Sequence, residues 1–139
     1  MSISVATKNI STESASTAVL AAVEKANEIG ISINVSVVDS SAIEIAFLRM
    51  NNSFLPSMSI AKDKAYTAAG FGFPTMQWGE ILQGTTQLQA GITVRPHVVT
   101  FGGGLPVIDG EELIGAIGVS GGSEEEDILC AQAGIDAIS

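Results

Sequence analysis

The 139-residue chain has one cysteine, one histidine, one tryptophan, one tyrosine and six basic residues. Each scarcity closes off a kind of chemistry. The single cysteine, Cys130, forbids an intrachain disulfide and a cysteine-based zinc site. The single histidine, His97, forbids a multi-histidine metal site and a histidine pair for acid–base work. It also leaves no convincing Ser/His/Asp arrangement among the many serines. Six Lys and Arg against fifteen Asp and Glu give a net charge of −9. That is the wrong sign for a nucleic-acid partner, because phosphate binding needs clustered cations. No apolar run approaches the roughly 20 residues of a membrane span. The N-terminus has no basic region followed by an apolar one. The expectation is one cytoplasmic domain over 1–139, with no membrane partner.

Apolar residues make up 46% of the chain and charged residues 15%. So few charges leave apolar surface uncovered, and a homo-oligomer, dimer or higher, is expected.

The stretch 98–128, VVTFGGGLPVIDGEELIGAIGVSGGSEEEDI, organises the rest. It reads as strand, glycine loop, strand, turn, strand and the start of a helix. Asp109-Gly110 between apolar runs is a hairpin signal, since both residues accept the positive φ of a tight turn. In the strand that follows, Leu113, Gly115, Ile117 and Val119 share one face. Ile114, Ala116, Gly118 and Ser120 share the other, where small residues let a helix or a second subunit approach closely. Ser123 and Glu126 form a capping box opening the last helix.

Upstream, residues around Ile3 and Val5 suggest a short edge strand. Ala15, Ala18, Val19, Ala22, Val23, Ala26 and Ile29 follow helical spacing from a Ser11 or Thr12 cap to Gly30. Ile31 to Val37 alternates as a half-buried strand. After a turn at Asp39-Ser40-Ser41, Ile43 to Met50 is its antiparallel partner, with Ile43, Ile45, Phe47 and Arg49 on one face. A helix capped by Ser57 or Ser59 runs to about Ala69, and its alanine face carries Lys64 but not Lys62. Short helices are expected at Thr75–Leu82 and Thr85–Ala90. Strands joined by tight turns, with helices laid over them, describe an α+β sheet protein.

Several pieces in this order resemble the GlcG/HbpS-like haem-binding or haem-degrading family, which includes the C-terminal domain of PduO-type proteins. They are Val38-Asp39, Arg49-Met50, Ala61-x-x-Lys64-Ala65-x-x-Ala68-Ala69, Phe73-Pro74-Thr75, Gly102-Gly103-Gly104-Leu105-Pro106 and Gly115 to Gly122 with Glu126-Asp127 behind it. Together they span roughly residues 15 to 137. The resemblance implies a profilin-like α/β fold with a five-stranded antiparallel sheet, and oligomers. Some members bind haem, and others act in small-molecule catabolism as enzymes such as deaminases. Asn51 departs from the pattern, since an Asp often follows Arg-Met. Ser41-Ala42 departs from it as well, where the first hairpin turn usually has a Gly.

Lys64 is the most informative single residue. A lysine on an alanine face either snorkels to water or meets a partner. It suits a carboxylate or propionate anchor, a general base or a Schiff-base amine. His97 is a candidate axial ligand to haem iron. Met50, Met58, Met76, Tyr66 and Cys130 also carry ligating atoms, although methionine more often fills core gaps. Gly102 to Gly104 lack the spacing of a phosphate loop, but their N–H groups can line a pocket. The leading expectation is a small-molecule-binding protein for a planar anionic ligand, haem or a related tetrapyrrole. Its pocket would be formed by Arg49, Asn51, Lys64, Gly102, Gly103, Gly104 and Pro106. The alternatives are an enzyme acting on an unsaturated carboxylic acid, with Lys64 or Thr75 in proton transfer, and an accessory protein-interaction subunit.

Overall fold

A computed structural model describes residues 1–139. Helix α1 (Thr12–Ile29) starts at a Ser11 cap, whose hydroxyl accepts the Ser14 N–H, and ends on Gly30 at φ 78°. Strands β1 (Asn34–Asp39) and β2 (Glu44–Arg49) form the first hairpin, and helix α2 (Pro56–Phe71) follows. A 3-10 turn (Thr75–Gln77) and helices α3 (Trp78–Ile81) and α4 (Thr86–Ile92) lead to β3 (Gly104–Asp109), β4 (Glu112–Ser120) and α5 (Glu124–Asp136). The strands make one antiparallel sheet of order β2-β1-β4-β3.

The sheet has four strands, not the five expected. Two segments read as strand do not pair. Residues 1–10 carry no regular structure and meet the sheet through one backbone bond, Ile10 N–H to the Ile114 carbonyl, while Asn9 Oδ1 accepts the Ser40 N–H just past β1. Val98 to Phe101 stays irregular because its N–H groups are taken elsewhere. Val99 N–H donates to the Thr67 hydroxyl at 3.0 Å, and Val98 N–H goes to the Arg95 carbonyl.

Helix α2 covers one face of the sheet, and α1 with α5 covers the other. Ile33, Val35, Val37, Ile117 and Val119 face α1 and α5 in the main core. Val38 and Ala116 meet Ala65, Ala68 and Ala69 of α2 in a second, smaller one. Alternation breaks at two bulges. Each inserts one unpaired residue, Ile45 in β2 and Ile114 in β4. Both turn toward the main core, so neither stays on the face that strict alternation assigns it. Leu113 then lies beside Gly72 at the end of α2.

Helix α2 begins at Pro56, after Leu55, with no side-chain cap. The expected Ser57 or Ser59 cap is replaced by proline in the first turn, where its missing N–H costs nothing. The capping box of Ser123 and Glu126 is present, as is the Asp109-Gly110 turn, with Gly110 at φ 67°.

Candidate functional site

Two places gather chemistry. The first is beneath the glycine loop. Lys64 is 1% exposed, and its ammonium donates to the Val119 carbonyl at 2.8 Å and to Asp127 Oδ2 at 3.1 Å. The Phe101 ring covers it, 5.1 Å from Nζ to centroid. Asp127 Oδ1 accepts the Gly122 N–H at 2.8 Å. Burial holds Lys64 below its ordinary value while Asp127 opposes the shift. Burial pushes Asp127 up, against Lys64 and the N–H groups of Gly122 and Gly121. Both shifts have one cause, the expense of desolvating charge.

The glycine loop closes over this pair. Gly102 N–H donates to Glu124 Oε1 at 2.6 Å, and Gly104 N–H donates to the Thr75 hydroxyl at 2.9 Å. Those two amides are therefore satisfied by the chain's own side chains. A side chain on Gly103, at φ 131°, would place its Cβ 2.5 Å from Lys64 Nζ. Lys64, Thr75, Gly102, Gly103 and Gly104 thus form one knot that ties α2, β3 and α5 together. Pro106 lies further along β3, where it pairs with Ala116.

Arg49 and Asn51 lie elsewhere. They line a surface cavity of about 430 Å³ with Val23, Asn27 and Ser32. Arg49 shares neither of the groups that hold Lys64, the Val119 carbonyl and the Asp127 carboxylate.

The second place surrounds His97. A cavity of about 470 Å³ is lined by Val38, Ala42, Glu44, Lys62, Tyr66 and His97. His97 Nδ1 is 2.9 Å from Asp63 Oδ1, and the Tyr66 ring stands 5.4 Å from the imidazole, centroid to centroid. A carboxylate only accepts, so Nδ1 is the nitrogen that donates here, and Nε2 is the ring nitrogen left to face a ligand. Nε2 has no partner within the chain, and the side chain is 63% exposed. His97 sits at φ 67°, a conformation uncommon outside glycine that persists where surroundings fix it. Here the Thr67 hydroxyl, 2.9 Å from the His97 carbonyl, does so. Lys62 reaches the same rim over the Phe47 ring, 4.9 Å from its centroid, and 3.9 Å from Glu44. A larger cavity, about 580 Å³ near Asn9, Ile114 and Ile138, contains none of this chemistry.

Sequence reasoning singled out Lys64 and His97 but missed their partners, Asp127 and Asp63. Neither separation follows a local spacing rule. Cys130, also a candidate, is fully buried, and burial pushes its thiol up to about 11, helped by Asp127 and Glu126. Native protein at neutral pH should therefore resist iodoacetamide and react fully once denatured. Alkylation of Cys130 in folded protein, read by intact mass, would contradict this.

A four-stranded antiparallel sheet between one helix and a helix pair, with a carboxylate-held histidine at its rim, defines a small α/β domain. The chain belongs to the HbpS-like family, whose sequence model, described as haem degrading protein HbpS-like, matches residues 10–136. The crystal structure of Klebsiella pneumoniae protein ORFY superposes with a TM-score of 0.92 at 34% identity, covering 99% of this chain and 96% of that one. The PduOC–heme complex superposes with a TM-score of 0.88 at 33% identity, covering 94% and 96%. The corrinoid adenosyltransferase PduO of Salmonella typhimurium is 37% identical over 86% of this chain, which spans only 36% of that protein. No helix here is long and apolar enough to cross a membrane.

Proposed function

We propose that the chain binds a planar, anionic tetrapyrrole of the haem type in the Tyr66–His97 cavity, with His97 Nε2 as the iron ligand. The observation that carries this is the donor set. A histidine whose Nδ1–H is held by a carboxylate presents a neutral, oriented Nε2, the arrangement that metal-ligating histidines use. The similarity to a heme-bound domain supports the ligand class. Haem would supply the iron chemistry. The chain's own residues would bind and orient it: Asp63 fixes the imidazole tautomer, Val38, Ala42 and Tyr66 would offer the apolar lining for the ring, and Lys62 would take an acidic substituent. Lys62 fills that role better than Lys64, whose ammonium is already engaged by Asp127 and Val119. In this reading the protein works as a homo-oligomer, in keeping with its sparse charge.

Titration with haem should give a Soret shift for the wild type. His97→Ala should change that spectrum and weaken binding. Lys62→Met should cost about 1 kcal/mol, a small amount because this lysine is half exposed. An unshifted Soret band, or a His97→Ala spectrum identical to wild type, would overturn the assignment.

A second reading rests on the same free nitrogen. The Asp63–His97 pair has the form of a general base, as an enzyme of small-molecule catabolism would need. Mass spectrometry of the small molecule that purifies with the protein separates the two, since a tetrapyrrole favours the first and an unsaturated carboxylic acid the second.

A further inference from the structure

We propose that the cavity at the end of the first hairpin is a second, separate site, which holds the carboxylate of a small hydroxylated organic acid on Arg49. It shares no lining residue with the Tyr66–His97 cavity, and it does not rest on the haem reading.

The site grows from a fixed strand end. Arg49 closes β2 opposite Asn34 of β1. The next residue ties the two strands twice. Met50 N–H donates to the Ile33 carbonyl at 2.9 Å, and Ile33 N–H donates to the Met50 thioether at 3.3 Å. The chain then turns through Asn51 and Asn52, with Asn52 at φ 69°, a left-handed conformation that asparagine tolerates. The Ser53 hydroxyl closes the turn on the Met50 carbonyl at 2.8 Å. Asn27, on the last turn of α1, and Ser32 line the same space. Bonds within the chain therefore set these positions before any ligand arrives, so little loop ordering opposes binding.

Charge shows what the site lacks. Fifteen acids outnumber six bases in this chain, and cations in other cavities have acids beside them. Lys8 shares its cavities with Asp109 and Glu112, Lys25 with Glu28 and Asp136, and Lys62 with Glu44 and Asp63. The Arg49 cavity has a cation and no Asp or Glu in its lining. The ion pairs of the chain are made by Lys25, Lys62, Lys64 and His97, which leaves the Arg49 guanidinium free. That group is a planar fork of donors with no acceptor, and a carboxylate matches it with two parallel bonds.

The remaining groups narrow the class. The carboxamides of Asn27, Asn51 and Asn52 both donate and accept, as does the Ser32 hydroxyl. Hydroxyl groups on a ligand answer both roles. Inorganic phosphate mainly accepts and leaves the amide oxygens unmatched. A tetrapyrrole would set an apolar ring against these polar groups. The volume, about 430 Å³, is in the range of small-molecule sites, and Leu48 and Met50 give the carbon chain of the acid an apolar wall.

Gluconate is the probe, with acetate and inorganic phosphate beside it. In amide NMR spectra gluconate should saturably shift the Arg49 Nε–H and the Asn51 and Asn52 carboxamide signals, with a dissociation constant in the millimolar range. Acetate and phosphate should each bind at least about threefold more weakly, since each forgoes hydrogen bonds to the carboxamides. Arg49→Met, at an exposed position, should keep the wild-type circular dichroism. It should bind gluconate ~10-fold or more weakly, the loss of a charge-assisted hydrogen bond. Arg49→Lys keeps the charge without the fork and should fall between the two. Asn51→Ala, on the exposed turn, should lose about threefold and repeats the test in a second folded variant. Lys62→Met, in the other cavity, should bind gluconate as the wild type does. The proposal is overturned if gluconate gives no saturable shift up to ~50 mM, if phosphate binds as tightly as gluconate, or if Arg49→Met leaves the affinity unchanged.

Discussion

Lys64→Met should destabilise the fold by about 3–5 kcal/mol, because it leaves Asp127 charged, buried and unpaired. Asp127→Asn should cost a similar amount for the mirror reason, while its amide oxygen still accepts the Gly122 N–H. The two penalties should depend on pH with opposite signs. Asp127 in the folded state lies above its ordinary value of 3.8, and more so without Lys64. The folded state then binds its proton more readily than the unfolded chain. Stability of Lys64→Met is therefore retained below about 3.8 and lost as pH rises through the raised value. Lys64 in the folded state lies below its ordinary 10.5, and further below without Asp127. Stability of Asp127→Asn is thus lost as pH falls through the lowered value and recovers toward 10.5. The double variant should cost less than either single change, since a buried pair removed whole leaves no stranded charge. Denaturant titrations across pH check all three. Additive single costs, or penalties that do not change with pH, would show that the pair is not coupled.

That knot was only half legible in the sequence. Helical spacing put Lys64 on the alanine face of α2, and the capping box placed the start of α5, but nothing local says that Asp127 meets Lys64 from 63 residues away. The same holds for Asp63 and His97, 34 residues apart. Elements whose signals are local emerged well: the α1 alanine stripe with its Ser11 cap, the Asp109-Gly110 turn and the small-residue face of β4. Elements decided by tertiary competition did not. Val98 to Phe101 is as apolar as a strand, yet the Thr67 hydroxyl claims the Val99 N–H. Ile45 and Ile114 fit a period of two as well as their neighbours do, and only the pairing shows that each is the extra residue of a bulge. The expectation of an open glycine pocket met a further competitor. Glu124 and Thr75 reach back to the Gly102 and Gly104 amides.

Gly118→Ala should be among the most damaging single-methyl additions in the chain. Gly118 lies in β4 opposite Ser36 of β1 and Gly104 of β3, on the face covered by α2. A Cβ there would overlap the Ala61 carbonyl and stand 2.5 Å from the Ala65 backbone nitrogen and 3.0 Å from Lys64 Cβ. Two of these are backbone atoms of a hydrogen-bonded helix, so no rotamer change relieves the clash. The helix has to lift from the sheet, loosening the Ala65 and Ala116 contacts and drawing Lys64 away from Val119 and Asp127. The cost should reach the top of the overpacking range, about 3 kcal/mol, which for a chain of this size lowers the melting temperature by roughly 10 °C. Two other glycines give the contrast. Gly70, near the end of α2 with nothing within 4 Å of its would-be Cβ, should accept alanine and gain roughly 0.5–1 kcal/mol from helix propensity. Gly110, equally open but at φ 67°, should lose about 1–2 kcal/mol from the left-handed backbone alone. Melting temperatures in the order Gly70→Ala, wild type, Gly110→Ala, Gly118→Ala are expected. A Gly118→Ala protein melting at or above Gly110→Ala would mean that α2 does not rest on β4 as closely as the structure places it.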